Sequence, residues 1–277
     1  MDDWFALMVG NTHHHWAWFS GTTLRGNGET TTHDRKIQQG DTQGISQEIN
    51  SRPGSQPNSQ NVPWPDTFPP LGTNVSLWRA SVVPLDQLIP LPIASIYDVR
   101  LGDVPLTGAY DTLGIDRALA LWGAIAQYGG PALVIDSGTA LTLTGVDQDH
   151  HFIGGAILPG LGLMATALHE YTARLPSITF KAMATIPDRW GKTTPRAMES
   201  GILYTVGAGV QAYINDWHSQ FPSGNVILTG GDRHLLAQLL QTLQNPSVTV
   251  DPPPILDPHL VFWGMRALRF PELSLLH

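Results

Sequence analysis

The chain has 277 residues, 42% of them hydrophobic and 14% charged, which is enough apolar content for a sizeable core and room for two domains. A formal net charge of −8 argues against nucleic acid as a main partner, and 0 Cys excludes a disulfide framework and a thiol nucleophile. The N-terminus lacks a basic region followed by an apolar core, and no apolar stretch is long enough to span a bilayer. A cytoplasmic protein without membrane association is therefore expected.

Trp4 to Val9 is an apolar run, Gly10-Asn11-Thr12 a turn, and His15 to Phe19 an aromatic strand. His13-His14-His15 invites a metal-site reading. Neighbours on a strand point to opposite faces, however, and no Cys, His or carboxylate stands at ligand spacing, so a polar strand edge is expected. From Gly26 to Thr73 the chain is rich in Gly, Ser, Thr, Gln, Asn and Pro. It reads as a partly ordered insertion whose end is docked by Trp64, Phe68 and Leu71. Val75 to Val83 reads as a strand, and Asp98 to Tyr110 as a loop.

Leu113-Gly114-Ile115-Asp116-Arg117 precedes an Ala/Leu-rich helix, Ala118 to Tyr128. Asp116 and Arg117 then stand at a helix N-terminus, where free N–H groups favour anions. Asp116 is a candidate general base there, and the alternative is a simple N-cap. Leu133 to Ile135 follow as a buried strand that ends in Asp136-Ser137-Gly138-Thr139-Ala140, and Thr142 and Thr144 alternate with Leu141 and Leu143 as a second strand. An Asp beside a Gly-Thr turn suits a phosphate and its cation, the amides and hydroxyl facing the anion and the carboxylate the metal; an ordinary hairpin with a polar turn is the alternative. With Gly10-Asn11-Thr12 this makes two similar strand–turn–strand units, each with a Gly and a Thr in its turn, as two related halves across a nucleotide would have.

Gly154-Gly155 adjoins a strand, where paired glycines mark close backbone approach. His150-His151 is a second histidine pair and is read, like the first, as structural. Helices are expected over Leu161 to Tyr171, extending to Leu175, and over Pro195 to His218, His234 to Leu243 and Val261 to Arg269. Asn225 to Thr229 reads as a buried strand, and Thr229-Gly230-Gly231-Asp232 as a turn suited to adenosine or to packing. Arg266 and Arg269 read as solvated, and Trp16, Trp18, Trp78 and Trp122 as core or dimer-interface residues.

The joint order of Gly10-Asn11-Thr12, Ser81-Val82-Val83-Pro84, Gly114 to Arg117, Asp136 to Ala140, Gly154 to Gly160, Thr194 to Gly201 and Leu228 to Gly231 resembles the type III pantothenate kinases. That family belongs to the superfamily of actin, sugar kinases and the heat-shock ATPase domain. The resemblance implies an α/β fold of two duplicated ribonuclease-H-like, actin-like ATPase domains, with a nucleotide cleft between residues 1–113 and 114–277. It implies ATP-dependent phosphorylation of pantothenate, the first step towards coenzyme A, in a homodimer. Asp116 resembles the general base, and Gly114, Ile115, Asp116 and Arg117 the pantothenate-binding run, joined by Thr194. Tyr110 is the candidate for the family's pantothenate-bordering tyrosine, though closer to Asp116 than usual. Met8, Val9, Gly10, Asn11, Thr12, His13, His14 and His15 resemble the first ATP loop, and Thr139 a further phosphate contact. Asp136 resembles the ligand of a monovalent cation, potassium or ammonium, with magnesium accompanying ATP.

The chain departs from the family in that first loop. Met8 stands where the family has Asp, and His15 where it has Lys. Magnesium would then be held mostly by the nucleotide's phosphates and water, and His15 is only partly charged near neutral pH. These departures motivate a second reading, a non-catalytic accessory paralogue; a third, a kinase for another small hydroxyl substrate or a phosphatase, stays open because fold does not fix function.

Overall fold

The computed structural model describes residues 2–31, 65, 68, 75–84, 93, 95–180, 185–243 and 252–272. The chain divides into two compact units, Met1–Asp103 with Gly114–Asp116, and Val104–Leu113 with Arg117–His277. Among the described residues, no helix is long and apolar enough to cross a membrane.

The first unit is a five-stranded sheet of β1 (Asp3–Val9), β2 (His13–Ser20), β3 (Thr23–Thr31), β4 (Ser76–Ser81) and β5 (Ser95–Asp98), in the order β3-β2-β1-β4-β5. β1 to β3 form an antiparallel meander, and β1, β4 and β5 run parallel. As the central strand, β1 is apolar and buried on both faces after Asp3, which is why it shows no alternation. Phe5, Leu7 and Val9 pack with Trp16, Leu77, Phe68 and Ile93 on one face. Trp4 stacks on Phe19 at 4.4 Å. Arg79 on β4 grips Asp98 on β5 through two hydrogen bonds, of 2.6 and 3.0 Å.

The second unit repeats this plan with β6 (Ala132–Ser137), β7 (Ala140–Val146), β8 (Phe152–Pro159), β9 (Asn225–Thr229) and β10 (Ile255–Leu256), in the order β10-β9-β6-β7-β8. Taken from β8, this is again third, second, first, fourth, fifth. The senses match too: β6 to β8 are antiparallel and β6, β9 and β10 parallel. The fold is thus a duplicated ribonuclease-H-like α/β topology. Helices α1 (Ile115–Tyr128), α2 (Leu161–Glu170), α3 (Thr194–Gln220), α4 (Arg233–Leu243) and α5 (Leu260–Arg269) complete it. Leu133, Ile135, Leu141 and Leu143 pack against Leu161 of α2, Leu203 and Ile214 of α3, and Leu236 and Leu239 of α4. The buried Asp257 carboxylate accepts hydrogen bonds from the Tyr128 hydroxyl at 2.8 Å, the Trp263 indole at 2.9 Å and the His259 amide at 2.7 Å, tying the start of α5 to the end of α1. Burial and that carboxylate push the Tyr128 phenol above its ordinary range.

Several expectations are corrected. The polar stretch does not begin at Gly26, because Gly26 to Thr31 belong to β3. Two glycines hide this strand in the sequence. Gly28 makes room for a neighbour, since a Cβ there would stand 2.9 Å from Pro65, whereas one at Gly26 would meet Phe68 only in ordinary contact at 3.8 Å. Phe68 docks as expected, stacked on Phe5 at 5.8 Å, whereas Trp64 and Leu71 lie outside the described residues, as does most of the polar segment. The three histidines are not on a sheet edge, since β2 pairs with both β1 and β3. Gly154 and Gly155 lie within β8 rather than beside a strand. α2 ends at Glu170, short of Leu175. Arg266 is not simply solvated: it donates to Gln127 at 2.9 Å and lies over the Trp263 ring.

α1 and α5 cross through two glycines. A Cβ at Gly123 would run into the Leu260 carbonyl, and one at Gly264 into the Leu119 carbonyl. Alanine favours a helix by ~1 kcal/mol over glycine, but overpacking against rigid backbone costs about 1–3 kcal/mol. Gly264→Ala is therefore expected to lower the thermal midpoint; a raised midpoint in differential scanning calorimetry would show that the helices separate freely.

Candidate active site

Three loops meet at the carboxyl ends of parallel β6 and β9. The β6–β7 turn is closed by Gly138 N–H donating to Ala140 O at 3.0 Å, and it is joined to the start of α2 by Gly160 N–H donating to Thr139 O at 2.9 Å. The β9–α4 turn is held by Asp232 N–H donating to Ser137 O at 2.9 Å. Gly230 has φ +86°, and a Cβ there would meet Asp136 Oδ1 and the Ser137 carbonyl. Glycine is required both for that backbone angle and for the close approach. Asp136 is half-buried, opposite Thr142 on β7 and Thr229 on β9, and Thr139 is exposed at the tip of its turn. The offering is a carboxylate, hydroxyls and peptide groups, an oxygen donor set suited to a hard cation beside an anion.

A second group surrounds Arg117, which is 8% exposed. Its Nε donates to Thr144 Oγ1 at 3.1 Å and its Nη1 to Tyr110 Oη at 2.8 Å. Gly155 leaves the space for the guanidinium, because a Cβ there would collide with Nη2. Tyr110 also packs edge-on against Phe152 at 5.6 Å. Its loop is stitched to the β7–β8 hairpin by Thr107 N–H donating to His150 O at 3.0 Å and Phe152 N–H donating to Thr107 O at 2.8 Å. His150 and His151 thus serve as hairpin residues. The structure therefore brings Tyr110 to Arg117 despite their unusual spacing in the sequence. Thr144 and the purpose of Gly155 were not legible, the only signal being the Gly-Gly pair.

Asp116 precedes Arg117 and is half-buried. It is the second residue of α1, so Gly114, not Asp116, stands at the cap position. Ile115 is buried, and Thr194 is exposed at the start of α3.

In the first unit the β1–β2 turn is closed by Gly10 N–H donating to His13 O at 3.0 Å. Asn11 and Thr12 are exposed at its tip, whereas Met8 and Val9 are buried. His14 lies opposite Val9 and His15 opposite Met8. His15 Nδ1 pairs with Glu29 Oε1 at 3.1 Å. Burial holds the His15 pKa below its ordinary value, with Glu29 opposing that shift and His13 adding to it.

The type III pantothenate kinase family model matches residues 4–216. A type III pantothenate kinase of Thermosynechococcus vestitus is 43% identical over 276 residues, covering 99% of this chain and 93% of the relative. One from Nostoc sp. is 38% identical over 270 residues, covering 96% and 94%. Among solved structures, a conserved Baf family protein from Campylobacter jejuni superposes with a TM-score of 0.56 at 18% identity, covering 98% of this chain and 100% of that one, a likeness of fold. With a family match over most of its length and relatives this close, the chain belongs to the type III pantothenate kinase family.

Proposed function

We propose that this protein phosphorylates pantothenate with ATP to give 4′-phosphopantothenate, the first step of coenzyme A biosynthesis. The observation that carries this is the near full-length identity to relatives named for that activity, 43% over 99% of the chain. The buried Arg117 fork and the Asp136–Thr139 turn give that activity its chemistry.

Asp116 accepts the proton of the pantothenate hydroxyl as its oxygen attacks the γ-phosphorus. The new O–P bond forms as the bond to the β–γ bridging oxygen breaks, ADP leaves, and the proton on Asp116 passes to solvent. An ordinary carboxylate suffices, because a loose transition state needs proton removal late and rewards positioning more than basicity. Gly114, Ile115, Arg117, Tyr110 and Thr194 hold pantothenate. Arg117 is the natural anchor, since its Nε and Nη1 are committed to Thr144 and Tyr110 and the guanidinium is thereby oriented. Gly10, Asn11 and Thr12, flanked by Met8, Val9 and His13 to His15, and also Thr139, contribute to ATP.

Asp136 would hold the monovalent cation, and Gly230 supports this by bringing no Cβ against its Oδ1. Such a cation, potassium or ammonium, neutralises phosphate charge when bound. Magnesium would be held by the ATP phosphates and water, since Met8 offers no oxygen. We further read residues 1–113 and 114–277 as the two domains of a cytoplasmic homodimer. The dimer reading is favoured by the apolar surface of edge strand β8 and α2, where Ile157 is 64%, Leu158 37% and Leu163 47% exposed.

Asp116→Asn should lose ~10²–10⁴-fold in kcat while keeping its fold and ATP affinity. Asn remains compatible with a helix start, so a coupled kinase assay that finds activity within a few-fold of the parent removes the base assignment. Arg117→Lys cannot reproduce the fork. Loss of a charged hydrogen bond, about 1.5–3 kcal/mol, should cut kcat/KM for pantothenate by ~10–100-fold and leave ATP binding intact. Equal losses for both substrates in initial-rate kinetics would count against a pantothenate anchor. Activity should be high in potassium or ammonium chloride and low in sodium chloride at matched ionic strength; equal rates in all three salts would strip Asp136 of its cation.

A further inference from the structure

His15 and Glu29 form a pair on the sheet beside the first turn. They are directly opposite in the β2–β3 register, and Met8 is the partner of His15 on β1. The imidazole uses Nδ1 toward Glu29 Oε1 at 3.1 Å, with the two side chains 44% and 63% exposed. A carboxylate only accepts, so Nδ1 carries a hydrogen and Nε2 is left as the atom whose state is open. With Nε2 bare the ring offers a lone pair, which repels a phosphate oxygen. With Nε2 protonated it donates to that oxygen and carries a full charge.

We infer that Glu29 is a positioning residue that makes His15 a proton-coupled phosphate contact: ATP binding draws a proton from solvent onto Nε2, and Glu29 orients and balances the imidazolium so formed. The inference rests on the kinase reading, in which the Gly10–Thr12 turn grips ATP. Among the described residues, the titratable groups facing His15 are Glu29 from β3 and His13 from β2, its ring 6.2 Å away, while Met8 on β1 is uncharged. Burial and His13 hold free His15 below its ordinary pKa against the pull of Glu29, so the free ring is mostly neutral near neutral pH. A bound anion raises that pKa. Affinity for ATP therefore falls as pH rises through the window between the pKa of the free protein and that of the complex.

Calorimetric titration of magnesium–ATP into the full-length protein, in two buffers of different ionisation enthalpy near about pH 7, reads the proton directly. The parent should take up a fraction of a proton beyond that seen with His15→Lys, whose fixed charge leaves only the nucleotide's own titration. Glu29→Gln should weaken ATP about two- to fivefold at about pH 7.5, with the deficit narrowing towards about pH 6, as expected for a half-exposed ion pair. In the His15→Lys background the same change should show no narrowing. Proton uptake identical in the parent and His15→Lys overturns the inference, as does a Glu29→Gln deficit that is absent or equal at both pH values, the last being the mark of a purely structural residue. ATP binding without proton coupling sinks this inference alone, whereas no ATP binding by the parent at any pH sinks the kinase reading and this with it.

Discussion

A guanidinium almost wholly out of water has to be supplied with acceptors, because it cannot shed its proton and an unpaired buried charge is costly. In this chain that demand is met at Arg117 by a hydroxyl on β7 and a phenol on the loop before α1. Meeting it sets three things together: the start of α1, the seat of the Tyr110 loop, and a small residue on β8. Gly155 is that residue, and the hairpin of His150 and His151 clamps the same loop from its other side. Asp116 inherits its position from its neighbour. The carboxylate proposed as base sits one residue before a side chain that has almost no freedom to move.

The turn at Asp136 rests on the same logic with the roles of space and charge exchanged. Gly230 and Gly160 bring peptide groups onto the β6–β7 turn at distances no Cβ would allow, and the loops are then tied by amide-to-carbonyl hydrogen bonds. Peptide dipoles held in this way need no reorganisation when an anion arrives. Short glycine-bearing loops thus frame the Asp136 turn in a chain with only 14% charged residues.

Strands with a dense apolar pattern were legible from residue type alone. β9 was read to the residue, and β1, β6 and β7 within one or two positions, because buried central strands concentrate Val, Ile and Leu. β3 was not, since it carries two glycines, and the close neighbour of Gly28 is Pro65, about forty residues away in the chain. β5 and β10 are short and take their identity from parallel neighbours rather than from their own composition. At the site, the motif residues could be named in advance, but their partners could not. Nothing local marks Thr144 as an acceptor for Arg117, and the Tyr110–Arg117 bond spans a loop whose path is set by a β-bridge to the His150–His151 hairpin.

The duplication makes the two turns comparable position by position. Asp136 stands two residues before Gly138 at the end of the first strand of its sheet, and Met8 stands two residues before Gly10 at the end of the first strand of the other. One is a half-buried carboxylate; the other is 4% exposed and apolar. A carboxylate buried as deeply as Met8 would carry a desolvation cost that only a bound cation or a strong donor could offset. With Met8 in that place the cost does not arise, and the polar charge of the first turn is displaced outward by one and two strands, to His15 on β2 and Glu29 on β3. That displacement changes the kind of charge as well as its place. A lysine is positive at every physiological pH, whereas the charge of a partly buried imidazole depends on the pH and on the charges beside it.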